Sequence, residues 1–137
     1  MTLDLLEQLL ARGQRATVRA RGGSMWPALR DGDVLTLQGA GPGAALPAFR
    51  EVVAVRCGDA LVIHRTVRRD ACAVVLRGDA CPAPDGAFPL AAILGRVVAV
   101  RRAGRPVLLG RGLLAPLIRS LRRLRRLRRL AGRALWL

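Results

Sequence analysis

Length, composition and charge already limit what this chain can be. Its 137 residues support one hydrophobic core, which must consist mainly of Val, Leu, Ile and Ala because hydrophobic residues make up 52% of the chain and aromatic residues only 3%. No run of about 18 uninterrupted apolar residues occurs, so we expect no membrane-spanning helix. The net charge is +15, and all 24 basic residues are arginines, so no lysine can serve as a catalytic base.

The first predicted element is a short amphipathic helix over residues 3–10. Leucines recur there at helical spacing, and the first turn carries acidic residues that complement the helix dipole. We expect these leucines to dock on the rest of the domain. The segment lacks a basic start and a small-residue cleavage site, so we do not expect it to be a secretory signal.

A turn that begins with two glycines and contains a single serine follows this helix. Ser24 comes directly after Gly22-Gly23, and Pro27 restricts the backbone shortly after it. Glycines allow a backbone to approach a bound carbonyl closely and to direct N–H groups at it, as an oxyanion hole requires. Ser24 is therefore a candidate nucleophile. The alternative is a glycine-rich turn between two strands with an incidental serine.

The middle of the chain alternates short apolar runs with Gly, Pro and Asp, which is typical of a mainly β domain. We predict strands over 17–20, 34–37, 52–55, 61–67, 73–76 and 93–100. Residues 38–47 are rich in Gly, Ala and Pro and are predicted to form a mobile loop.

His64 is the chain's one histidine and lies in the predicted strand over 61–67. A serine hydroxyl is a weak nucleophile unless a base removes its proton. Among the side chains of this sequence, only histidine suits that work near neutral pH. A lone histidine on a strand is more often structural than catalytic, so the interpretation of His64 depends on Ser24.

The three cysteines, Cys57, Cys72 and Cys81, cannot all pair with one another, which is typical of a reducing compartment. Together with His64 they form a nominal set of metal ligands. No two of them have the close spacing of a structural zinc site, so we expect no metal and no cofactor.

Residues 113–137 are predicted to form a basic amphipathic helix. The leucines between 117 and 127 gather on one side of it and most arginines on the other. Such a helix suits an anionic membrane surface, and Trp136 is typical of a membrane interface. A protein partner is the second interpretation. Nucleic acid is the third, because the leucines form a stripe and aromatic stacking surface is almost absent.

Four segments, taken in order, resemble a family of serine proteases. Ser24-Met25, followed by Pro27, Leu29 and a Gly-Asp turn, resembles the nucleophile box of type I signal peptidases and LexA-like proteases. His64-Arg65 resembles the His-Arg box of endoplasmic-reticulum, archaeal and spore-forming-bacterial signal peptidases, which use histidine where other bacteria use lysine. Further segments are similar to the Gly-Asp box and the last core strand, over 76–85 and 93–98. The resemblance covers roughly residues 16–102.

The resemblance implies a serine endopeptidase with Ser24 as nucleophile, His64 as general base and Asp85 as the carboxylate that orients the imidazole. Asp85 also lies in a Pro-Asp-Gly sequence that forms turns without any chemistry. Asp79 is the more ambiguous acid, and we favour an ion pair with Arg65 over a direct catalytic role.

The resemblance also implies that Met25 shapes the pocket beside the nucleophile, with Gly22, Gly23 and Pro27 in the same substrate-binding loop. Many relatives carry a serine two residues before the nucleophile, where this chain has Gly22. Stabilisation of the oxyanion would therefore depend on the Ser24 N–H and neighbouring main chain.

We accordingly expect a mainly β, signal-peptidase/LexA-like domain of β-barrel type over residues 1–112, with its core over 16–102, followed by the basic helix of 113–137. The expected function is cleavage of a leader or precursor peptide by a Ser-His-Asp mechanism. The expected location is cytoplasmic, with peripheral attachment to a membrane. The alternative is a LexA-like regulator or a non-catalytic binding module that acts through its basic helix.

Overall fold

The computed structural model describes residues 1–109 and 123–124, and these residues are mainly β. The elements in chain order are α1 (Leu3–Ala11), β1 (Arg15–Arg19), β2 (Val34–Gly39), β3 (Val52–Cys57), β4 (Ala60–Arg69), β5 (Ala73–Arg77), β6 (Gly86–Pro89), a 3-10 helix (Leu90–Ala92), β7 (Ile93–Arg102) and β8 (Arg105–Val107). Apart from Arg123 and Leu124, which are helical and exposed, the predicted basic helix of 113–137 lies outside the described residues.

The strands form one antiparallel sheet in the order β1-β2-β7-β3-β4-β5-β6, with β8 paired to β7. The expected barrel is wrong in one respect: the sheet is not closed, because β1 and β6 are not paired with each other in the described part of the chain. The chain leaves β1 for the loop that carries Ser24. The Ser24 carbonyl accepts a hydrogen bond from the N–H of Ala80 in the turn after β5. The two ends of the sheet are therefore connected through loops rather than through a strand ladder.

The prediction that α1 docks on the sheet is confirmed. Thr2 caps the helix by accepting the N–H of Leu5, and Leu6 and Leu10 are buried against the main core cluster. Arg56 of β3 holds the outer side of the helix through Asp4 and Glu7. Burying two leucines offsets the marginal intrinsic stability of so short a helix.

All the predicted strands are present, and two short ones were missed. β6 contains glycine and proline, and β8 has three residues with Pro106 at its centre, so neither carries the alternating pattern of a strand. Each forms only because a longer neighbour, β5 or β7, offers a free edge.

The predicted loop over 38–47 begins later than expected, because Gln38 and Gly39 extend β2. Any side chain at Gly39 would overlap the main chain of Leu10, so glycine allows the end of α1 to pack directly on this strand. None of the helices in the described ranges is long and apolar enough to cross a membrane.

Candidate active site

Ser24, His64 and Asp85 come together from three separate parts of the chain. Nε2 of His64 lies 3.0 Å from Oγ of Ser24, and Nδ1 of His64 contacts Oδ2 of Asp85. When Nδ1 donates its proton to the carboxylate, Nε2 remains an acceptor that faces the serine hydroxyl. This is the geometry in which an imidazole can remove a serine proton while a carboxylate stabilises the charge that results.

His64 lies where β4 changes its neighbours. It pairs with Val53 of β3, and pairing of β4 with β5 begins at the next residue, Arg65. The His64 side chain is 11% exposed and that of Asp85 is 28% exposed. The Asp85 N–H bonds to the carbonyl of Leu76, which fixes the carboxylate at the start of β6. Asp85 therefore lies directly before β6 rather than in the turn that Pro84-Asp85-Gly86 could form, and it contacts His64.

The loop that carries Ser24 is held at its base by a second carboxylate. Asp33, only 2% exposed, accepts hydrogen bonds from Nε and Nη2 of Arg102 at 2.9 and 2.8 Å and from the N–H of Arg30. The bond from Arg102 holds the pKa of the Asp33 carboxyl below its usual value, although burial opposes it. The same pair raises the pKa of Arg102. The sequence analysis included Asp33 only as part of the Gly-Asp turn. Its pairing with Arg102 was not predictable, because the two residues are 69 positions apart.

The ion pair expected between Arg65 and Asp79 is present. Nε and Nη2 of Arg65 donate to the two carboxylate oxygens of Asp79 at 2.8 and 2.9 Å, and both side chains are almost fully buried. Arg65 also donates to the carbonyl of Arg50, and the N–H of Asp79 bonds to Sδ of Met25. The pair therefore holds the turn after β5 against Met25, the residue that follows Ser24.

Gly78 has a packing role that the sequence analysis missed. A Cβ at this position would lie 2.6 Å from the Ser24 carbonyl oxygen, 2.7 Å from Sγ of Cys81 and 3.1 Å from Nε2 of His64. Only glycine leaves room for the serine loop and the imidazole to approach each other here. No local sequence signal could reveal this, because the neighbours come from distant parts of the chain.

A groove of about 490 Å³ adjoins the Ser24 hydroxyl. It runs between β1, with the residues that follow it, and the first half of β4. Gly22 and Met25 belong to its lining. Gly23 and Pro27 are not among its lining residues within the described chain; the Gly23 carbonyl instead accepts the N–H of Trp26 in the adjoining turn.

Main-chain N–H groups near Ser24 differ in whether they are already hydrogen-bonded within the protein. The N–H of Gly22 donates to Oδ1 of Asp31 and is therefore occupied. Within the described residues, the N–H of Ser24 has no hydrogen-bond acceptor. Such a group is suited to stabilise an oxyanion formed at the serine.

The cysteines lie apart from one another. Cys57 and Cys72 are exposed, whereas Cys81 is half-buried with its Sγ 3.9 Å from the Ser24 carbonyl oxygen. In the part of the chain that the structure describes, no group of three His, Cys, Asp or Glu side chains is arranged to hold a metal ion.

Comparison with known proteins adds no family assignment. No protein-family model matches this chain, and a search of curated proteins finds no significant match.

Proposed function

We propose that this protein is a serine endopeptidase of the signal peptidase type, which cleaves a leader or precursor peptide. The observation that carries the proposal is the chain of contacts from the Ser24 hydroxyl through the His64 imidazole to the Asp85 carboxylate. Three side chains separated by 40 and 21 residues meet in an order that a proton transfer requires. An incidental turn serine and a structural histidine have no reason to meet in this way.

In the proposed reaction, Nε2 of His64 takes the Ser24 proton as Oγ attacks the scissile carbonyl. Asp85 stabilises the imidazolium, and the Ser24 N–H donates to the oxyanion. His64 then delivers the proton to the leaving amine, which breaks the peptide bond and leaves an acyl group on Ser24. Water, activated by the same imidazole, hydrolyses that ester and regenerates the hydroxyl.

We further propose that the substrate binds as an extended strand in the groove. β1 is a terminal strand of the sheet, and residues 60–64 of β4 pair only with β3 in the described chain. Two strand edges with unused main-chain groups therefore face the groove from opposite sides. An extended peptide can satisfy these groups by adding a strand. Apolar lining residues, including Leu35 and Ile63, suit small or apolar side chains that point inward.

Attachment to the inner face of a membrane through residues 113–137 is part of the same proposal. Its support is the basic amphipathic pattern of that segment. Attachment at the inner face would limit the substrates to peptides made in the same cell.

The chain offers a matched control for testing the nucleophile, because it contains only two serines, Ser24 and Ser120. We expect the purified protein and its Ser120→Ala variant to cleave members of a peptide library, with products mapped by mass spectrometry. Ser24→Ala should cleave none. A fluorophosphonate probe should likewise modify Ser24 and not Ser120. Cleavage by the Ser24→Ala variant would refute the mechanism, whereas absence of cleavage by the unmodified protein would favour a non-catalytic binding module.

A further inference from the structure

Three arginine residues belong to the lining of the groove beside the candidate nucleophile. Arg19, Arg21 and Arg30 belong to the same lining as Ser24 and His64, and this lining contains no acidic residue among the described positions. All three arginines are exposed. None of them forms an ion pair with a carboxylate of the described residues. Nη1 of Arg19 makes a long hydrogen bond, 3.4 Å, to the carbonyl of Gly32. The positive charge of the groove is therefore not neutralised by any acidic residue of its described lining.

Arg19 and Arg21 also present their main chain to the groove. The N–H of Ala20 donates to the carbonyl of Asp33, and the carbonyl of Ala20 accepts the N–H of Gly32. Both main-chain groups of Ala20 therefore face β2. Successive residues of a strand direct these groups to alternate edges. This alternation, continued for two residues past the end of β1, directs those of Arg19 and Arg21 to the open edge.

Side chains of β1 and of the two residues that follow it alternate between the two faces of the sheet. Ala16 is buried and Val18 and Ala20 are partly buried, whereas Arg19 and Arg21 are exposed. Residues directly opposite each other on paired strands project from the same face. A peptide added at the edge of β1 would therefore place two of its side chains, two residues apart, next to the guanidinium groups of Arg19 and Arg21. The side chain between them would point at the apolar lining.

We propose that the groove selects peptides with acidic residues at two alternating positions, read by Arg19 and Arg21, and with a small or apolar residue between them. This inference rests on the proposed function for its biological meaning and deepens it by naming a substrate class. Guanidinium groups pair with carboxylates through directed hydrogen bonds, so the position of the acid matters as well as its charge. Exposed pairs are weak, and we expect a preference of about twofold to fivefold for each acidic residue, which falls as salt rises.

The test measures binding of the full-length Ser24→Ala variant to an array of extended peptides, so that it does not depend on hydrolysis. Each set of three peptides carries Asp-Ala-Asp, Asp-Asp-Ala or Asn-Ala-Asn at the same place. The first two have equal charge, and a general attraction of acidic peptides to a chain of charge +15 cannot distinguish them. We expect Asp-Ala-Asp to bind about fourfold to twenty-five-fold more tightly than Asn-Ala-Asn, because two such preferences multiply, and more tightly than Asp-Asp-Ala.

Two arginine variants decide which residues are responsible. Arg19→Gln with Arg21→Gln should abolish the preference, whereas Arg101→Gln with Arg105→Gln, which removes the same charge from the exposed ends of β7 and β8, should retain it. Arg21→Glu should favour peptides with Lys at the corresponding position, a gained interaction that misfolding cannot imitate. Equal binding of all three peptides, or an unchanged preference after loss of Arg19 and Arg21, would overturn the inference. Failure of the peptidase proposal would appear separately, as the absence of Ser24-dependent cleavage.

Discussion

The main-chain N–H of Ala80 donates a 2.8 Å hydrogen bond to the carbonyl oxygen of Ser24. This contact joins the loop after β1 to the turn after β5, which lie near opposite ends of the sheet. It brings the serine hydroxyl to the imidazole of His64 on β4. The candidate site therefore depends on how the sheet curls.

If Ser24 and His64 act as one unit, the reductions in rate caused by replacing each of them should not be additive. We expect His64→Ala to reduce kcat by at least about a thousandfold, and the Ser24→Ala, His64→Ala double variant to be no slower than either single variant. Steady-state kinetics on a peptide from the library would measure this. A double variant whose loss is the product of the two single losses would indicate that the residues act independently.

Gly78→Ala should separate the catalytic groups without removing any of them. The added methyl group would overlap the Ser24 carbonyl and crowd His64, and small displacements of reacting groups cost about a hundredfold in rate. Gly104→Ala is a suitable control, because the positive φ of Gly104 makes this substitution strained as well, whereas there is open space around Gly104, far from the site. We expect both variants to lose some stability and only Gly78→Ala to lose kcat. Normal turnover by Gly78→Ala would show that the packing at this point is not critical.

Asp85 and Asp79 should differ in what their loss changes. Asp85→Asn should lower kcat by about a hundredfold or more and leave the thermal midpoint nearly unchanged, because this carboxylate is partly exposed and its partner is His64. Asp79→Asn leaves the buried charge of Arg65 without its partner and should cost about 3–5 kcal/mol of stability. Thermal unfolding and kinetics on both variants would separate the roles. A purely catalytic defect in a stable Asp79→Asn protein would reverse our assignment.

The pair of Asp33 and Arg102 should make stability depend on acid pH. Because Arg102 lowers the pKa of Asp33 in the folded state, the unfolded chain binds more protons in the acid range. The contribution is complete above the unfolded pKa of about 3.9 and is lost as pH falls through the lower folded value. We expect Asp33→Asn to lower stability at neutral pH by about 1–3 kcal/mol and to flatten its decline in acid. The exposed Asp59→Asn variant should show the wild-type decline in urea titrations at several pH values.

The basic segment should govern binding to anionic membranes. Replacing its four arginines in the range 125–129 by Gln should abolish sedimentation with vesicles that contain anionic lipid. Replacing four exposed arginines of the folded part should leave most of the binding, although the net charge falls equally; these are Arg12, Arg68, Arg101 and Arg105. Wild-type binding should also weaken at high salt. Equal losses in the two variants would show that overall charge, rather than this segment, attracts the vesicles.

Periodicity and turn chemistry in the sequence were sufficient for most of the secondary structure. The helix over Leu3–Ala11 and the longer strands follow from local patterns of apolar residues, because each pattern reflects one buried face. The two short strands, β6 and β8, were not predictable in this way. They carry no pattern of their own and form because a longer strand beside them has an open edge.

The candidate site, like the secondary structure, was predictable only in part. The sequence by itself determined the chemical types available: a serine in a turn that begins with two glycines, one histidine, no lysine, and a few carboxylates. Only the tertiary structure decided that Asp85 meets His64 while Asp79 meets Arg65, that Gly78 makes room for the site, and that the sheet remains open. The physical reason is the separation along the chain between the residues that interact. Local spacing controls backbone conformation, whereas contacts between side chains far apart in the chain depend on the curl of the sheet and on exclusion of volume at single positions such as Gly78.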